Sequence, residues 1–190
     1  MLFRSFPIAA NAPVTLTVTI TSPDWAEFDT LEVFANTTPD PVVGGDSTLT
    51  PLKCWTSRAT ANLAAKDPCK TAALAAEPMS VVLAAVAGPG NYRRYEATVT
   101  VTLDAQDIVT RAGRTGTDAW LVFRARGDRG VFPLLLNNGT VDDTTRAAIM
   151  SGDFTMIRTA LTGKGAAATA LTSPVFVDFD GGGYRAPFAP

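Results

Sequence analysis

From Val14 to Thr21 the chain reads Val-Thr-Leu-Thr-Val-Thr-Ile-Thr, an unbroken alternation of apolar and polar residues. That is the period of a half-buried strand with a row of threonines in water. The same period returns from Tyr95 to Leu103. Thr30–Asn36 predicts a further strand with Leu31, Val33 and Ala35 on one face, and Ser80–Val86, Ala119–Arg126 and Val175–Phe179 are apolar enough to be strands as well. Pro23-Asp24 ends the first strand, and Gly88-Pro89-Gly90-Asn91 marks a turn. Gly127-Asp128-Arg129-Gly130 predicts a tight turn into Val131–Leu136, a hairpin. Asp142 to Met150 predicts a short helix capped by Asp142 or Asp143. Thr37–Pro51 and Gly163–Ala170 carry the composition of loops.

Leu52–Glu77 departs from this rhythm. It holds Cys54 and Cys69 and an alanine-rich stretch from Ala59 to Ala76, broken by Pro68. The expectation is an inserted loop or short helical segment over residues 52–77, clipped by a Cys54–Cys69 disulfide, with two free thiols as the alternative. A bridge of that span adds about 3 kcal/mol by restricting the unfolded chain, and it places the protein in an oxidising compartment. The predicted fold is mostly β. It is a single antiparallel β-sandwich over residues 1–190, immunoglobulin-like or jelly-roll-like, with one or two short helices. No strand–helix–strand rhythm points to a parallel nucleotide-binding sheet.

Charge and composition narrow the chemistry. Charged residues are 18% of the 190, the formal net charge is −2, and there is no histidine. A nucleic-acid partner calls for a basic face, and Arg93-Arg94 and Arg124/Arg126/Arg129 read instead as solvated strand ends and turns. Without histidine, Ser-His-Asp and Cys-His nucleophile systems are excluded, as are histidine-based zinc sites. No apolar run reaches the roughly 20 residues of a membrane-spanning helix. Met1–Pro7 does not read as a signal peptide, because Arg4 and Pro7 break its apolar stretch. The chain is therefore expected to be one part of a longer or processed protein.

Few side chains are candidates for a site. In Asp178-Phe179-Asp180-Gly181-Gly182-Gly183 the two carboxylates share one side of a strand end and the glycines permit a sharp turn. Hard oxygens on a tight turn are how calcium is held, so Asp178 and Asp180 are the candidate calcium ligands. Gly182 stands where a third carboxylate belongs, and the competing expectation is an Asp that caps its own turn. Trp25, just after Pro23-Asp24, is a candidate surface for a carbohydrate. Trp120 is expected in the core, and Trp55 packed on the disulfide. Asp104 and Asp107, just past a strand, are expected to start a turn and not to form a catalytic pair. Asn36-Thr37-Thr38 and Asn138-Gly139-Thr140 fit the glycosylation sequon.

Three stretches together resemble a known family: Val14–Asn36, Asp118–Gly127 and Leu171–Gly183, the last ending Pro-Val-Phe-Val-Asp-Phe-Asp-Gly-Gly-Gly. Their order is similar to the carboxyl-terminal β domain of CehA/McbA-type metallohydrolases of the PHP superfamily. The family tends to end in Asn-Pro-Ile-Phe-Val-Asp-Val-Asp-Gly-Asp-Gly; here Ser173 replaces the Asn and Gly182 the last Asp. Leu52–Glu77 lies outside the resemblance. None of the family's catalytic metal motifs has a counterpart in this chain. The resemblance implies an accessory sandwich with no catalytic residues, which meets a neighbouring domain or other protein subunits. The expected role is a non-catalytic accessory or interaction domain of an extracytoplasmic protein, secreted, periplasmic or at the cell surface. A self-assembling surface or filament subunit is the alternative, and a calcium- or carbohydrate-binding module a third.

Overall fold

A computed structural model describes residues 6–7, 12–36, 50–59, 62–63, 67–70, 76–88, 92–104, 106, 108, 118–130, 143–152, 156, 167–179 and 181–185. The strands are β1 (Phe6–Pro7), β2 (Val14–Pro23), β3 (Thr30–Ala35), β4 (Lys53–Thr56), β5 (Glu77–Pro78), β6 (Val82–Ala85), β7 (Arg93–Leu103), β8 (Ala119–Gly130), β9 (Ala167–Leu171) and β10 (Val175–Asp178). The helix α1 spans Asp143–Ser151. A 3-10 turn covers Pro68–Lys70.

The strands form two sheets. The larger runs β1-β10-β8-β3-β4-β5, with β9 also on β8, and the smaller runs β2-β7-β6. β2 and β7 are antiparallel from Val14↔Leu103 to Pro23↔Arg94. Their common period therefore puts threonine opposite threonine on the outside: Thr15↔Thr102, Thr17↔Thr100 and Thr19↔Thr98. The inner residues of β7 (Tyr95, Ala97, Val99, Val101 and Leu103) join Leu31, Val33, Ala35, Trp55, Ala119, Leu121, Phe123 and Val177 of the larger sheet in one core. The two sheets thus face each other as a β-sandwich, held mainly by burial of apolar surface.

The larger sheet is covered on both faces near its middle, and there alternation stops being a guide to burial. All six residues of β3 are buried. Leu31, Val33 and Ala35 face the sandwich core, so Thr30, Glu32 and Phe34 occupy the other face.

Five expectations need correction. Lys53–Thr56, expected within a loop or helical insertion, is a strand that pairs with β3. Its Trp55 enters the core, whereas Cys54 packs on the opposite face with Leu63 and Cys69. Trp55 therefore does not rest on the disulfide; adjacent strand residues point to opposite faces. Trp120 alternates with the core residues Ala119 and Leu121, so it lies half-buried on the outer face and not in the core. Gly127–Gly130 is no turn: β8 runs through it and pairs with β9; the expected hairpin partner, Val131–Leu136, lies outside the described residues. Ala167–Ala170, expected to be loop, forms most of β9. Alanine carries little strand preference, and backbone pairing to β8 decides the conformation.

Gly127 is needed for a close approach. A Cβ there would sit 2.1 Å from the Glu27 carbonyl oxygen, which is backbone and cannot swing aside. Gly127→Ala is expected to cost about 1–3 kcal/mol, as overpacking does, read as a fall in the urea midpoint at unchanged m-value.

Candidate functional site

Two clusters of buried polar groups stand out, and the first was not anticipated. Glu32 is completely buried on the outer face of β3. Registers Glu32↔Arg124 and Glu32↔Cys54 set a guanidinium on one side and the disulfide on the other. Arg124 Nε donates to Glu32 Oε2 at 2.6 Å and Arg126 Nε to Oε1 at 3.1 Å. Arg126 Nη2 donates to both Asp67 oxygens, at 2.8 and 2.9 Å. Asp67 Oδ1 also accepts the Cys69 N–H at 2.9 Å. Burial works to lower the Arg126 pKa, yet the nearby Glu32 and Asp67 carboxylates and their hydrogen bonds outweigh it and hold the value above normal. Arg124 also lies over the Phe34 ring, 5.0 Å from its centroid.

Cys54 and Cys69 are disulfide-bonded, 15 residues apart, with Cα atoms separated by 5.7 Å. The bridge fastens the segment that carries Asp67 over this face of the sheet. Glu32, Cys54 and Cys69 bring one carboxylate oxygen and two sulfurs within 4.8 Å of each other. The sulfurs are bonded to one another, which leaves no thiolate to bind a metal. Arg124 and Arg126 are thus interior ion-pair partners, not the solvated residues expected. The missed signal was charge at same-parity positions inside apolar strands: Glu32 in β3, Arg124 and Arg126 in β8.

The second cluster is the carboxyl-terminal turn. Asp178 is buried at the end of β10. Its Oδ1 accepts the Gly181 N–H at 2.7 Å and its Oδ2 the Gly183 N–H at 3.0 Å. Both glycines have positive φ, 73° and 89°, a conformation open to glycine with little strain. Asp118, buried just before β8, accepts the Phe179 N–H at 3.1 Å through Oδ1 and the Arg185 N–H through Oδ2. The Phe176 and Tyr184 rings pack with centroids 4.5 Å apart, tilted at 59° to each other. Two carboxylates thus hold four backbone N–H groups and fold the turn back on the sheet. Asp180, the other candidate calcium ligand, lies outside the described residues.

Burial first, and then the Asp118 charge, raises the Tyr184 pKa. A raised pKa adds stability that is present below the unfolded value of about 10 and is lost as pH rises through the higher folded value. Wild type is expected to lose melting temperature above that pH more steeply than Tyr184→Phe, measured by thermal scans on either side of it.

The remaining candidates have definite places. Trp25 is 47% exposed in the Pro23–Ala26 turn, which the Ala26 N–H closes on the Pro23 carbonyl at 2.9 Å. Trp55 Nε1 donates to Glu77 Oε2 at 2.9 Å. Asp104 Oδ1 accepts the Gln106 N–H at 2.7 Å, a capping role; Asp107 is outside the described residues. Asn36 is buried and its Oδ1 accepts the Trp120 N–H at 2.9 Å, so the nitrogen a glycan would need is enclosed. Asn138 lies outside the described residues. Among the described residues no helix is long and apolar enough to cross a membrane.

No family model, curated protein or solved structure matches the chain. Fold and site together define a β-sandwich, antiparallel except for the parallel pairs β1–β10 and β4–β5, with one disulfide and internally paired charges.

Proposed function

We propose that the chain is a non-catalytic accessory or interaction domain of an extracytoplasmic protein, of the kind that stands beside a PHP-type hydrolase domain. One observation carries this reading. The buried carboxylates Asp29, Glu32, Asp118 and Asp178 hold structural partners. Asp29 accepts from the Thr30 hydroxyl at 2.6 Å; Glu32 binds two guanidiniums; Asp118 and Asp178 take backbone N–H groups. A general acid or base needs a carboxyl that can meet substrate, and these carboxyls are engaged in holding strands and turns together. The disulfide supports an oxidising compartment, and the resemblance of the terminal Pro174–Gly183 run supports the neighbouring domain.

The reading is tested by calorimetry of this chain against a CehA/McbA-type catalytic domain stripped of its own terminal sandwich. Saturable heat at a 1:1 ratio is expected. No heat, with both partners folded, would count against docking.

A further inference from the structure

We propose that the open edge of β2 is an interface for a second copy of this chain, paired antiparallel about a two-fold axis through Val18. The inference does not rest on the accessory-domain reading.

In the sheet β2-β7-β6, β2 is terminal and ten residues long. Among the described residues no strand pairs with its outer edge. The other edge strands, β1, β5, β6 and β9, have two, two, four and five residues. A long edge offers a row of unpaired N–H and C=O groups, which proteins usually guard with Lys, Pro, a bulge or an inward charge. Val14–Ser22 has no charged residue, and Pro23 comes only at the end. Its pairing to β7 is regular throughout.

Burial points the same way. The core-facing residues of β7 are closed off, with Val99 at 7%, Val101 at 0% and Leu103 at 2% exposure. Leu16, Val18 and Ile20, on the same side of β2, pack against that core only partly buried. Among the described residues they have no strand neighbour on the outer edge.

A second β2 supplies it in matching register. An antiparallel two-fold through Val18 sets Leu16 opposite Ile20 of the second copy, Val18 opposite Val18, Thr17 opposite Thr19 and Thr15 opposite Thr21. Directly opposed residues share a face, so apolar side chains meet on the core side and threonines outside. A one-residue slip would put threonine against the apolar row. No like charges meet across the axis. The product is a continuous six-stranded sheet, β6-β7-β2 joined to its copy. Nine residues a side is below the roughly 20–30 of a standard interface, so the pair is weak and concentration-dependent.

The test is light scattering on size-exclusion fractions over a concentration series to about 1 mM. Wild type is expected to move from monomer to dimer. Thr17→Lys/Thr19→Lys adds charge to two exposed positions that face one another across the axis, and should stay monomeric at unchanged melting temperature. Thr17→Glu/Thr19→Glu should do the same. An equimolar mixture of the two variants should form a 1:1 heterodimer, because each Lys then meets a Glu. Monomeric wild type throughout would overturn the proposal, as would a persistent dimer of either variant. Failure of the mixture to associate would overturn the register.

Discussion

Glu32→Ala is expected to cost about 3–5 kcal/mol of folding stability, the range for removing one member of a buried ion pair. The loss follows from what stays behind. Arg124 and Arg126 share this one carboxylate from the interior of β8, and burial leaves water little access to replace it. Arg126 keeps Asp67, which softens the loss at that guanidinium. Glu32→Gln retains oxygen and nitrogen in place of two acceptors and should cost less, about 1–3 kcal/mol. Urea unfolding followed by tryptophan fluorescence separates the two variants: Trp55 lies in the strand next to Glu32 and reports loss of the core. An Ala variant as stable as wild type would mean that the pairing contributes nothing net.

Removing the disulfide has the next largest expected effect. Cys54→Ser/Cys69→Ser should lower stability by about 3 kcal/mol, the chain-entropy value for a loop of this length. The effect reaches beyond chain entropy, because Asp67 stands two residues before Cys69 and bonds its N–H. Without the bridge Asp67 is held less firmly against Arg126. The cysteine pair and Glu32 should therefore couple: the triple variant is expected to lose less than the sum of its parts, by at least about 0.5 kcal/mol. Strict additivity would mean that the bridge and the ion pairs act separately. A reducing agent should reproduce the shift in wild type and leave the serine variant unmoved.

What could be read from the sequence depended on how many faces of a strand are covered. β2 and β7 keep one face in water, so their residues alternate and both strands are legible. β3 is covered on both faces, and Leu31, Val33 and Ala35 identify only the core side. Glu32 looks like an outward residue until Arg124 and Arg126 are placed beside it by strand pairing across more than 90 residues. No local pattern holds that information. Lys53–Thr56 is too short for its period to register among prolines and cysteines, and β9 takes its conformation from β8. Gly127 looks like a turn residue because glycine serves both for turns and for close packing; only the Glu27 carbonyl distinguishes the two. The cysteines are the opposite case, since fifteen residues of separation in a turn-rich stretch is enough to anticipate the bridge. In the terminal run the glycines and Asp178 marked a turn, while Asp118, its second anchor, is distant in sequence and carried no local signal.

We propose that the buried carboxylates serve structure and that this domain performs no chemistry of its own. Turnover by the purified chain tests it most directly, with p-nitrophenyl phosphate, bis(p-nitrophenyl) phosphate and p-nitrophenyl acetate, each with calcium, magnesium, manganese or zinc. Rates equal to those of the metal-containing buffer are expected. Saturable turnover that disappears in a folded Asp178→Asn variant would contradict a non-catalytic role.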